Sequence, residues 1–85
     1  MTQRINRLPD VKAQMGISRS TIYASIKIGM FIKPIKLGAR AVGWLDSEVQ
    51  AMLNARIAGK NDVQIRELVL NLELSRKSVG GQYAH

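Results

Sequence analysis

Seven side chains in the first half of the sequence have types that could do chemistry: Arg19, Ser20, Tyr23, Lys27, Lys33, Lys36 and Arg40. Five are cations and two carry hydroxyls. A guanidinium can donate two parallel hydrogen bonds to guanine O6 and N7, and ammonium groups suit backbone phosphates. That is the chemistry of recognition rather than of bond making. The catalytic alternatives are poorly represented. Cysteine is absent, which removes disulfides, thiolate metal sites and thiol nucleophiles and fits a reducing compartment. The sole histidine, His85, closes the sequence and reads as a loose end. Asp46 and Glu48 form the closest acidic pair, which helix capping explains. Gly38 and Gly43 have phosphate-loop spacing, but Trp44 follows where lysine is needed. No cofactor or metal is expected, and the chain reads as a non-enzyme.

The placement of charge supports recognition. The chain has 85 residues and a formal charge of +7. Residues 1–45 hold eight bases against one acid, whereas residues 46–85 hold five of each. The excess therefore lies in one half, as a footprint for phosphates would require. A hydrophobic content of 46% is too high for a disordered basic tail. At this length one small domain with a thin core is expected. No apolar run approaches a membrane span, so no membrane partner is expected.

Four helices and a hairpin must position these residues. Pro9 and Asp10 open a first helix that ends at Gly16, with Leu8, Val11 and Met15 on its core side. Ser18 caps a second, from Arg19 to Ile28. Thr21, Ile22, Ser25, Ile26 and Ile28 share one half of its wheel. Arg19, Ser20, Tyr23, Ala24 and Lys27 share the other, which reads as the exposed ridge.

Residues 31–37 and 42–45 read as two strands of a hairpin with Arg40 at its basic tip. Phe31 and Trp44 are read as core, and Pro34 as an edge-strand residue. Asp46 caps a third helix with Val49, Met52, Leu53, Arg56 and Ile57 along one side. Asn61 and Gln64 form a capping box for a fourth, from Asp62 to about Lys77. The fourth helix is more apolar than one stripe requires, so it either packs back on the domain or joins a second molecule. A tail from Ser78, with Gly80 and Gly81, reads as loose.

This order is a winged helix-turn-helix, mainly α with a small β-hairpin, plus an extra C-terminal helix. It divides the chain into a DNA-binding domain at 4–60, a C-terminal helix at 61–77 and a flexible tail at 78–85. The second helix would enter the major groove while the hairpin flanks it on the backbone or minor groove. Reach assigns Arg19 and Ser20 to base edges or the first phosphate. Tyr23 is assigned to a phosphate, sugar or thymine methyl, and Lys27 to the backbone. Lys33, Lys36 and Arg40 belong to the wing.

Three blocks carry a resemblance. They are Arg7-Leu8-Pro9-Asp10-Val11, Gly16-Ile17-Ser18-Arg19-Ser20-Thr21-Ile22-Tyr23, and Pro34 to Trp44 followed by Asp46-Ser47-Glu48-Val49. Over residues 4–60 the chain resembles the AlpA family of small phage-type regulators of prophages and genomic islands. The resemblance implies a winged fold similar to MerR-like and excisionase proteins. It carries a DNA-facing role onto Arg19, Ser20, Tyr23, Lys36 and Arg40. Relatives often have a larger basic residue where Ala24 stands, and the family pattern does not require the fourth helix.

A sequence-specific regulator of duplex DNA, controlling integrase or excision genes, is the leading expectation. One rival is an excisionase that bends attachment-site DNA and steers an integrase. Another is a protein that inhibits a second regulator by binding it. RNA binding is disfavoured, because the ridge carries one aromatic for stacking. The expected setting is a bacterial cytoplasm, near the nucleoid. The expected partners are double-stranded DNA, a second copy or a DNA-templated array through residues 62–77, and an integrase.

Overall fold

The computed structural model describes residues 4–83, with side chains described through Arg76. In chain order the elements are β1 (Ile5–Asn6), α1 (Leu8–Met15), α2 (Arg19–Lys27), β2 (Ile35–Lys36), β3 (Val42–Leu45), α3 (Asp46–Ile57) and α4 (Asp62–Tyr83). The three strands form an antiparallel sheet in the order β1-β3-β2. Ile5 pairs with Leu45 and Asn6 with Trp44 on one side, and Ile35 pairs with Gly43 and Lys36 with Val42 on the other. The expected two-stranded hairpin is therefore the outer part of a three-stranded sheet. β1 escapes the sequence reading because two residues are too few to show a period.

The first long strand expected, at 31–37, shortens to Ile35–Lys36. Phe31 and Ile32 precede it as buried, non-strand residues. Pro34 begins the strand from outside, as its missing N–H dictates. Trp44 is fully buried on β3, and its indole N–H donates to the Ile32 carbonyl at 3.1 Å. Gly43, beside it, is required for space. A Cβ there would lie 2.5 Å from Ile5 Cγ2 and 3.1 Å from the Asn6 carbonyl oxygen. A side chain at this position would force β1 off its neighbour.

The helices begin and end largely as their caps dictate. Gly16 closes α1 at φ 66°, a left-handed conformation that only glycine adopts cheaply. The Ser18 side chain accepts the Thr21 N–H at 3.2 Å and opens α2. Asn61 and Gln64 exchange reciprocal bonds at 3.0 and 2.9 Å and open α4. Asp46 differs from expectation. It is the first residue of α3, with Leu45 at the cap position, and its carboxylate turns to the protein. Buried Asn6 donates to Asp46 Oδ1 at 2.8 Å, and Gln14 also donates to it, at 3.4 Å. The Asp46 N–H meanwhile binds the Arg4 carbonyl at 2.8 Å. One residue thus ties the start of the chain, α1 and α3 together.

Two helix faces are also corrected. On α2, Ile22 is buried and Ile26 partly so, but Thr21 and Ile28 are exposed. The Thr21 hydroxyl lies 3.0 Å from Ser18 Oγ in the cap, and Ile28 lies just past the helix end. On α3 the buried stripe is Glu48, Val49, Met52 and Ala55. Arg56 and Ile57 face out, and Leu53 is half-covered. The helix is rotated because α4 packs on the Glu48–Met52–Ala55 side, and a wheel drawn from hydropathy cannot place that neighbour.

α4 is integral to the fold. Ile65 and Val69 are buried in the same core as Val11, Ile22, Trp44 and Val49, with Leu68 and Leu72 packed at its edge. Burying two such side chains contributes about 3–6 kcal/mol, comparable with the ~5–15 kcal/mol net stability of a domain. A polar clamp adds direction. Arg76 Nε donates to both Glu48 carboxylate oxygens at 3.0 and 2.9 Å, and its Nη2 reaches Glu48 and the Lys33 carbonyl. Glu73 accepts the Lys33 N–H at 2.9 Å, and Arg66 donates to the Ile28 carbonyl at 3.2 Å. The helix also continues past the expected end at Lys77, through Gly80 and Gly81 to Tyr83. His85 lies outside the described residues.

Two outcomes follow for stability. Removing one partner of the clamp leaves the other ion buried and uncompensated, so Arg76→Ala should lower unfolding free energy in urea by about 3 kcal/mol. Joint replacement of Glu48 and Arg76 by methionine should restore most of that loss. Asp46 supplies an acid-sensitive contribution. Its carboxyl is held below the ordinary aspartate value chiefly by the Asn6 amide and then by Gln14; desolvation opposes them, and the Arg4 charge and Gln50 add lesser support. The native state therefore binds this proton less readily than the unfolded chain. The stabilisation is complete above the ordinary aspartate pKa and fades as pH falls through the lowered one. Asp46→Asn should flatten that part of the stability–pH curve, measured by urea unfolding between pH 2 and 6.

Candidate nucleic-acid interface

The seven candidate residues fall into three groups. The first is the opening of α2. Ser18 uses its side chain to cap the helix, and Arg19, Ser20 and Thr21 follow it in an exposed first turn. A helix start combines outward N–H groups with the positive end of the peptide dipole, a combination suited to phosphate. The Arg19 guanidinium carbon lies 5.6 Å from the centre of the Tyr23 ring. Tyr23 in turn meets Trp44 edge-on, with centroids 6.4 Å apart and planes at 65°. Arg19 therefore rests on a ring that is itself packed on the core. Such stacking holds a long side chain extended and reduces the entropy it must lose on binding. Tyr23, 38% exposed, is a support for Arg19 as well as a surface group.

The second group is the wing. Lys36 is exposed on β2 opposite Val42, and Arg40 is exposed in the bend at residues 38–40. The Leu37 and Gly38 N–H groups both bind the Ala41 carbonyl, at 2.8 and 3.3 Å, which closes this loop. Leu37 is 44% exposed beside these cations. Its alternation with basic residues is the sequence signal that could have marked it as part of the surface.

Lys27, in the last turn of α2 on the same ridge, and Lys33, exposed just ahead of β2, form the third group. Both line a groove between α2 and α4, together with Arg66, Leu70 and Glu73. The backbone N–H and C=O of Lys33 are both bound by α4 side chains. Among the described residues, none of the five candidate cations forms an ion pair with a carboxylate, the pair present being Arg76–Glu48. Their charge thus remains available to a polyanion.

Sequence reasoning missed the residues that position these groups. Arg66 holds the end of α2, while Glu73 and Arg76 hold the chain just before the wing. A signal existed: Glu48 and Arg76 are charges of opposite sign lying within otherwise apolar stripes on two helices. Among the described residues, no helix is long and apolar enough to cross a membrane.

A two-helix turn unit, a basic hairpin beside it and a third helix closing the core define a small winged helix-like domain of the DNA-binding class. Sequence comparison narrows the class. The family model described as Prophage CP4-57 regulatory protein (AlpA) matches residues 4–57, and the chain belongs to this family of phage regulatory proteins. The chain is also 47% identical over 58 residues to the Uncharacterized protein ORF88 of Enterobacteria phage P4. That alignment covers 68% of this chain and 66% of the relative, just under two thirds of the relative's length. No solved structure matches the chain. α4 begins beyond the residues that the family model matches.

The support given by Tyr23 has a measurable consequence. Tyr23→Phe keeps the ring against Trp44 and should leave thermal stability within about 0.5 kcal/mol. Tyr23→Ala removes the edge contact and the platform for Arg19, and should cost about 1–3 kcal/mol. Equal losses for the two variants in thermal unfolding would show that the hydroxyl, rather than the ring, matters.

Proposed function

We propose that this protein is a sequence-specific regulator that binds double-stranded DNA and controls integration or excision genes of a prophage or genomic island. α2 enters the major groove, and the wing follows the backbone or the adjacent minor groove. The observation carrying this reading is the opening of α2, where a capped helix start presents Arg19, braced by Tyr23, beside Ser20. Membership of a phage regulatory family supplies the setting.

In this arrangement Arg19 and Ser20 read base edges or fix the first phosphate. Lys36 and Arg40 supply charge from the wing. Lys27 and Lys33 add long-range attraction from the α2–α4 groove, a role that needs no direct base contact. Ala24, on the exposed ridge, has too short a side chain to reach a base, so reading is concentrated in the first turns of α2.

Selection from a random duplex pool at near-physiological salt tests the proposal. The expected result is an enriched motif. Arg19→Ala should then weaken binding to that motif by about 1–3 kcal/mol and relax preference at one position. Lys36→Ala should weaken all duplexes alike and lower the slope of log affinity against log salt by about one. Binding without an enriched motif, or an unchanged site preference in Arg19→Ala, would overturn sequence reading by α2.

A further inference from the structure

α4 has a second apolar face that the fold leaves largely exposed. Ile65 and Val69 point into the core, but Val63, Leu70 and Leu74 are 70%, 61% and 60% exposed. At 100° per residue these three fall on one stripe, on the side away from the buried face. Their spacings of seven and four are those of a heptad seam. Glu67 occupies the remaining seam position between Val63 and Leu70.

We propose that this stripe pairs with the same stripe of a second copy of the chain, with the two α4 helices antiparallel. Charge selects this occupant and this direction. Arg66 and Glu73 lie seven residues apart on the same flank of the seam. Each is held there by the chain's own backbone, Arg66 through the Ile28 carbonyl and Glu73 through the Lys33 N–H. In an antiparallel pair the flank positions of the two helices face each other, so Arg66 of each copy meets Glu73 of the other. On the opposite flank Gln64 meets Asn71. The seam layers become Val63 on Leu74 and Glu67 on Leu70, each occurring twice. A parallel pair would set Glu67 directly against Glu67 and leave Arg66 opposite Asn71, with a like-charge contact and no ion pair.

Three apolar side chains cannot supply the roughly 800 Å² per partner of a stable interface, so the association is weak. It needs no DNA, and its test is therefore separate from that of the regulator reading. The absence of native cysteine makes the test clean. Val63→Cys and Leu74→Cys both alter exposed positions, and each variant's fold is checked by circular dichroism. The two variants, carrying tags of different mass, are mixed and oxidised under mild conditions. Ala13→Cys, an exposed position on α1, serves as the background.

The antiparallel pair places Val63 of one copy against Leu74 of the other. The mixture should therefore give about tenfold more disulfide heterodimer than either variant alone gives homodimer, because only facing Cβ atoms bridge. Adding Leu70→Glu to both chains sets a carboxylate against Glu67 of the other copy and should abolish that excess while leaving helicity unchanged. Homodimers of each variant alone at the level of the mixture would overturn the antiparallel direction. Yields no higher than with Ala13→Cys would overturn the pairing altogether.

Discussion

The buried indole of Trp44 is the contact on which the rest of this small molecule depends. Trp44 sits on the central strand with β1 and β2 on either side, and it is fully enclosed. An enclosed indole N–H must find an acceptor, and the Ile32 carbonyl provides it. That bond fixes the segment between α2 and the wing to the central strand. The exposed side of the arrangement is fixed too, because Tyr23 leans on Trp44 and Arg19 lies over Tyr23. One large side chain thus links the core to Arg19 at the exposed start of α2.

A domain of this size has little core to spare, and α4 supplies what the winged unit lacks. Its buried side chains extend the apolar cluster, while Arg66, Glu73 and Arg76 bind backbone groups at Ile28 and Lys33. These two positions bracket the junction between the second helix and the wing. The relative orientation of the two basic elements is therefore set in part from outside the family-matched residues. The Glu48–Arg76 pair shows why the bracing is polar. Hydrophobic contact alone is non-directional, whereas a forked guanidinium on a carboxylate fixes angle as well as distance.

The basic surface illustrates a division of labour between charge and shape. Arg19 has an aromatic support and a helix start beside it, so it can be directed. Lys36 and Arg40 ride on a hairpin closed by backbone bonds at Ala41. Lys27 and Lys33 border the α4 groove beside Arg66 and Glu73. Net charge attracts polyanions in general, whereas only side chains of fixed orientation can discriminate among them.

The sequence by itself determined the local events. Ser18, Asn61 with Gln64, and Gly16 mark helix ends because capping and left-handed turns involve residues a few positions apart. The assignment of Trp44 and Phe31 to the core, the confinement of charge to the first half, and the family blocks were legible for the same reason. Only the tertiary structure decided the long-range matters. Asn6 found Asp46 forty residues away and drew it from its expected cap, and a two-residue strand joined the sheet. The α3 face turned toward α4, burying Glu48 and leaving Ile57 outside. Tyr23, read as surface, is exposed and is also a support for Arg19. Local spacing reveals which residues share a face, but which face is covered depends on neighbours that only the folded chain brings together.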